Sequence, residues 1–171
     1  RLAIDPNRGA DDPTLIMQRY DGSVIPGNRA VSAEEREARL EAYYRPYHRA
    51  YAGLAAEHPG AALLAVHSFT PQLKGRAPRP WHVGVLYAED ARLAEPLLAA
   101  LAREEDLVVG ANEPYRGHLP GDSVDRHALA TGRPNVLLEV RQDLIATPAG
   151  QRAWAKRLAP PLKAALQAFK A

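Results

Sequence analysis

The chain contains no cysteine, which excludes a disulfide framework, a thiolate nucleophile and a thiolate metal site. Any metal must be held by histidine and carboxylate, and any nucleophile must be Ser, Thr, Lys or an activated water. A cysteine-free chain fits a cytoplasmic location. No apolar run approaches the ~20 residues of a membrane-spanning helix. Charge of neither sign dominates: 22 Lys and Arg face 20 Asp and Glu, a formal net charge of +2. The small basic surplus is scattered, so neither nucleic acid nor a membrane surface is expected as a partner. Internal repeats and low-complexity tracts are also lacking.

What is there is globular. The 171 residues, 46% hydrophobic and 25% charged, suffice for one domain with a sizeable core. The chain opens at Arg1 in RLAIDPNRG. Leu2-Ala3-Ile4 before Asp5-Pro6 reads as a strand entered part-way, so the expectation is a single domain over 1–171 lacking its N-terminal strand or strands. Residues 9–31, rich in Gly, Pro, Asp and Asn, read as a long surface loop. Ser32 and Glu35 form a capping box, S-A-E-E, that starts a helix. Its apolar face is expected from Leu40, Tyr43, Tyr44, Tyr47, Tyr51 and Leu54, with a kink at Pro46 and an end at Pro59-Gly60.

Leu63–His67 reads as a strand buried on both faces, and residues 82–87 and 107–111 as shorter ones. Residues 90–104 read as a helix. A loop over 112–124 leads to a short helix through His127 and Leu129. NVLLEVRQDL (135–144) is the strongest strand pattern. The last helix is capped by Thr147, has Pro148 in its first turn, and should bend at Pro160-Pro161. Strands alternating with helices predict an α/β fold with a mixed, largely parallel sheet. Ligand sites in such sheets lie beyond the carboxyl ends of the strands. His67 sits at one such end, Glu139 and Arg141 near another, and Asn7 and Arg8 after the opening strand.

Each of these polar groups has two readings. Glu139 interrupts an apolar strand, where a carboxylate is costly unless paired or ligated. Arg141, two residues on and on the same strand face, offers a salt bridge. Alternatively both project into a cleft, with Glu139 as a general base. His67 is either a core histidine satisfied by a backbone carbonyl or a ligand. No H-E-x-x-H or H-x-x-E pattern marks a local metal site, and no G-x-S-x-G elbow surrounds Ser68. The other histidines show no ligand spacing, and solvated or capping roles suffice for His48 and His58. Asn7-Arg8 is a turn with a solvated arginine or a carboxylate clamp. The loops with Arg76, Arg79, Trp81, Tyr115 and Arg116 are recognition loops or ordinary surface.

Taken in order, RLAIDPNR, DGSVIPGN, YYRPYH, VHSFTP, RPWHVGVLY, VGANEPY and LLEVRQDLI resemble the N-formylglutamate amidohydrolase family over nearly the whole chain. The resemblance implies a three-layer α/β/α sandwich like that of zinc carboxypeptidases and the aspartoacylase group. It implies zinc-dependent hydrolysis of an N-acyl, in particular N-formyl, amino acid. His67 would be a zinc ligand, Glu139 the general base, and Arg1 the oxyanion stabiliser. Asn7 and Arg8 would grip the substrate carboxylate, with Arg141 and Tyr115 as further substrate contacts. The early H-A motif that supplies the first zinc ligands in the family is not in this sequence, so the remaining ligands are expected upstream of Arg1. A metal-free carboxylate-binding domain of the same fold and a related cell-wall peptide amidase are the alternatives.

Overall fold

The computed structural model describes residues 2–170, with Lys170 described for its backbone only. The elements begin with β1 (Arg19–Tyr20), β2 (Ser23–Val24), α1 (Ala33–Arg39) and α2 (Arg45–Glu57). They continue with β3 (Leu63–Phe69), β4 (Val83–Leu86), α3 (Ala94–Leu101) and β5 (Val109–Ala111). The last are α4 (Ser123–His127), β6 (Asn135–Arg141) and α5 (Pro148–Lys170). The chain divides into two compact units: Arg1–Ala61 with Leu119–Arg133, and Ala62–His118 with Pro134–Ala171.

In the first unit the expected opening strand does not form. Residues 2–4 are irregular, and Ile4 is buried with Leu15, Leu40 and Tyr44. Asp5 accepts the backbone N–H of Asn7 through Oδ1 (3.0 Å), so the polar Asp-Pro-Asn sequence closes a turn where a strand ladder would have needed partners. The segment read as loop contains a hairpin, β1 paired antiparallel with β2. Its two connecting residues, Asp21 (φ 48°) and Gly22 (φ 79°), both take the left-handed conformation of a type I′ turn, which the Asp-Gly pair favours. Buried Asn28 donates to the carbonyls of Leu2 (2.7 Å) and Met17 (2.8 Å) and accepts from Arg39 (2.7 Å).

Ser32 caps α1 as expected, its Oγ accepting from Glu35 N–H (3.1 Å). Between α1 and α2 lies a π-helical turn over Leu40–Tyr44, closed by the Arg45 N–H on the Leu40 carbonyl. The extra residue relieves the ladder just before Pro46, whose nitrogen has no proton and whose ring would crowd a preceding carbonyl. The turn also rotates the buried face. Leu40, Tyr44 and His48 are buried, while Tyr43 and Leu54 point to solvent. His48 is thus a buried residue, not the solvated one its position suggested. Its Nδ1 lies 2.9 Å from Nε2 of His127 on α4, one of the two nitrogens carrying the shared proton. Tyr51 stacks on the His127 ring at 4.5 Å.

The second unit is built on a four-stranded sheet in the order β3-β6-β4-β5. β3–β6 and β4–β5 are parallel and β6–β4 antiparallel, the mixed, largely parallel sheet expected of an α/β fold. Val83, Val85, Val136, Leu138 and Val140 on one sheet face pack against Leu97 and Leu101 of α3 and Leu158 and Ala165 of α5. Thr147 caps α5, accepting from Gly150 N–H (3.1 Å), and the helix continues through both prolines. β3 is not buried on both faces. It borders the sheet, with Leu64 43% and Val66 62% exposed, and none of its side chains joins the core beneath the helices. An apolar run does not by itself distinguish a central strand from a bordering one. No helix among the described residues is long and apolar enough to cross a membrane.

Burial, reinforced by the charge of Arg126 and by His127, pushes the His48 imidazole down to about 4, and burial lowers His127 as well. The folded state therefore refuses protons that the unfolded chain accepts below about pH 6.5. Stability is fully present above that pH and declines as pH falls toward 4. The thermal midpoint, followed by circular dichroism, is expected to drop across this window. In His48→Gln the drop is expected to be smaller.

Candidate functional site

The site in the second unit begins with strand register. β6 is central, and its residue Glu139 pairs with His67 of β3 on one side and Gly84 of β4 on the other. Paired residues on adjacent strands project to the same face, which is the face opposite the valine-rich core. His67 Nδ1 lies 3.7 Å from Glu139 Oε1. Glu139 is 5% exposed, and its second oxygen, Oε2, is buried without a hydrogen-bond partner. A buried carboxylate oxygen with no donor is costly and marks a place where a polar atom from outside would be held.

Gly84 gives this carboxylate its surroundings. A Cβ there would meet the Glu113 carbonyl oxygen at 2.2 Å and the Glu139 Cβ at 3.4 Å. Only a bare Cα admits the 112–116 loop so close to the sheet. Asn112 turns that loop back: it adopts φ 53°, donates its N–H to the Val85 carbonyl (2.9 Å) and accepts Tyr87 N–H through its side chain (2.9 Å). Asn tolerates the left-handed conformation better than most residues.

Of the two readings of Glu139, the salt bridge with Arg141 is not what the structure shows. Arg141 does not pair with Glu139. Its Nε and Nη2 donate to the Asp143 carboxylate (2.8 and 3.2 Å), and its Nη1 reaches the carbonyls of Arg79 and Trp81, each at 3.4 Å. His67 faces the Glu139 carboxylate and is partly exposed. Tyr115 lies beside Arg79, which donates to its hydroxyl at 3.0 Å. Asn7 and Arg8 belong to the first unit. There Arg8 donates to Thr14 Oγ1 (3.1 Å) and the Asn7 carbonyl (2.8 Å), with Asp5 Oδ2 at 3.9 Å. Its own carbonyl accepts from Tyr44 (2.9 Å). Arg1 lies outside the described residues.

The His48–His127 pair escaped the sequence reading, although Leu40, Tyr44 and His48 recur at four-residue spacing and that rhythm carries its signal.

The sequence profile of N-formylglutamate amidohydrolases matches residues 1–146. The chain belongs to this family. A crystal structure of a gene product from Agrobacterium tumefaciens superposes with a TM-score of 0.90 at 35% identity, covering 100% of this chain and 69% of that one. A crystal structure of N-formylglutamate amidohydrolase from Ralstonia eutropha JMP134 superposes with a TM-score of 0.67 at 25% identity, covering 99% of this chain and 73% of that one. No curated protein matches the chain significantly.

Membership makes the chain an amidohydrolase by family. It leaves the expected zinc centre to be tested against the donors present. Among the described residues no group of three or more His, Cys, Asp or Glu side chains converges to hold a metal. The donors at the site are one imidazole, His67, and one carboxylate, Glu139. They do not compose a zinc site by themselves, since such sites use three or four protein ligands.

The Gly84 approach makes a direct prediction. Gly84→Ala forces a methyl group into a backbone carbonyl and is expected to cost about 3 kcal/mol of stability, measured by denaturant unfolding.

Proposed function

We propose that the protein hydrolyses the amide of an N-formyl amino acid, N-formylglutamate being the representative substrate, in a cytoplasmic setting. The observation that supports this most is the Glu139 carboxylate. It is buried, faces His67, and keeps one oxygen without a partner on the sheet face opposite the helix-packed core, in a chain from this family.

In this reading Glu139 takes a proton from the attacking water as the water oxygen bonds to the formyl carbon. The tetrahedral adduct then collapses. Its carbon–nitrogen bond breaks, Glu139 returns the proton to the departing nitrogen, and formate and the free amino acid leave. Burial beside the His67 imidazole holds the base in place, which is the positioning such a transfer needs. Zinc is the cofactor of the same proposal, His67 being the imidazole ligand that the described residues supply. Arg1, Asn7, Arg8 and Arg141 stay in the proposal on the resemblance alone, as oxyanion stabiliser and substrate contacts.

Two measurements test this. Glu139→Gln removes the base but keeps the shape, and kcat toward N-formylglutamate should fall at least about 1000-fold with the metal content unchanged. Activity that survives the change removes Glu139 from the role of base. Elemental analysis of the purified full-length protein should give about one zinc per chain, reduced in His67→Ala. A metal-free protein that turns over substrate and gains nothing from added zinc overturns the cofactor assignment.

A further inference from the structure

Arg79 occupies an unusual position for a guanidinium. It follows β3 in the GRAPRPW loop, its backbone N–H bound to the Pro71 carbonyl (2.8 Å). Nη1 donates to the Thr70 carbonyl (3.1 Å), to Thr70 Oγ1 (3.3 Å) and to the Tyr115 hydroxyl (3.0 Å). The guanidinium carbon lies over the Phe69 ring at 5.8 Å and over the Tyr115 ring at 5.0 Å. All of these acceptors are neutral, and no acidic side chain among the described residues pairs with it. Arg141, by contrast, is held by both oxygens of Asp143 and donates to the Arg79 carbonyl. Nε and Nη2 of Arg79 have no hydrogen-bond acceptor among the described residues. A half-buried guanidinium in this state is pre-organised for a bidentate anion.

Its place in the fold says where that anion sits. Phe69 follows His67 by two residues, so the two share a sheet face and are separated by about 6.6 Å along the strand. In an N-acyl dicarboxylic amino acid such as N-formylglutamate, the side-chain carboxyl carbon lies five bonds from the acyl carbon, a span of about 6 Å when extended. The α-carboxyl carbon is only three bonds away. A substrate whose amide is placed at Glu139 therefore brings its distal carboxylate, not its α-carboxylate, to the end of β3.

We propose that Arg79, oriented by Tyr115 and Thr70, is the specificity-determining residue that binds the side-chain carboxylate of the substrate. The assignment rests on the proposed hydrolysis for the location of the amide. It makes the protein selective for acidic N-acyl amino acids over neutral ones of the same length. Tyr115 then acts through Arg79: its hydroxyl accepts from Nη1 and leaves the other two donor nitrogens for the anion.

The test compares N-formylglutamate with N-formylglutamine on the full-length protein. In Arg79→Met, kcat/KM for N-formylglutamate should fall about 10- to 100-fold, almost wholly through KM. The value for N-formylglutamine should stay within about twofold, a residual difference that a loss of one charged contact predicts. Arg79→Lys should recover part of the loss, and Tyr115→Phe should raise KM a few-fold for the acidic substrate only. Equal losses on both substrates, or none on either, overturn the assignment. Calorimetric titration with L-glutamate and L-glutamine separates this from the hydrolysis itself. If the wild-type protein hydrolyses neither formyl compound, the proposed function fails. The carboxylate assignment then stands only if glutamate binds the wild type at least tenfold more tightly than Arg79→Met. Equal binding, or no binding to the wild type, overturns it.

Discussion

The parallel pairing of β3 with β6 is the constraint from which the candidate site follows. It sets His67 against Glu139, and it places Phe69 one pleat further along the same face, under the guanidinium of Arg79. Side-chain direction alternates with a period of two, so a slip of β3 by one residue would turn His67 and Phe69 away from the face that Glu139 occupies. The register is held by that core. Val136, Leu138 and Val140 of β6 are packed beneath α3 and α5, and their burial obliges Glu139, sitting between two of them, to face the other way. The carboxylate is thus placed by the hydrophobic residues flanking it. The polar atom carries none of the cost of choosing its own position.

Arginine placement shows how neighbouring cations are given different work. Arg141 is neutralised by Asp143 two residues away, and its remaining nitrogen supports the backbone of the 79–81 segment. Arg79 is surrounded by hydroxyl, carbonyl and aromatic groups, which orient a positive charge without cancelling it. A local Arg-x-Asp pair on a strand end is visible in sequence. That no acidic side chain among the described residues pairs with Arg79 is a property of the folded loops, because its partners Thr70 and Tyr115 come from different loops.

The same distinction separates what was legible in the sequence from what was not. β6 declared itself through an unbroken apolar pattern with one carboxylate in it, and the Ser32 cap through a side chain that bonds three residues ahead. These signals are local, and the structure keeps them. The opening segment misled because an apolar tripeptide suits a strand and a buried irregular stretch equally. The β1–β2 hairpin was submerged in a run of turn-forming residues, although Asp21-Gly22 is the dipeptide such a turn favours. The helical face shifted because a π-helical turn inserts one residue into the ladder, and a fixed 3.6 period does not allow for it. His67 against Glu139 followed from the family resemblance and from strand ends. Their side-by-side register required the sheet order, which no spacing encodes.

That sheet order also governs how the second unit can assemble. β6 is the last of its four strands to be synthesised, yet it lies between β3 and β4 and pairs with both. Until it arrives, β3 has no strand neighbour among the described residues, and the β4–β5 pair shows an open edge where β6 will lie. Insertion of one strand then joins the sheet and brings the two halves of the site into register in a single step. Contacts so distant along the chain make closure slow compared with helix formation. The waiting strands carry unpaired backbone groups that invite pairing with other chains. Assembly of the candidate site and protection from aggregation thus begin together, when β6 slots into place.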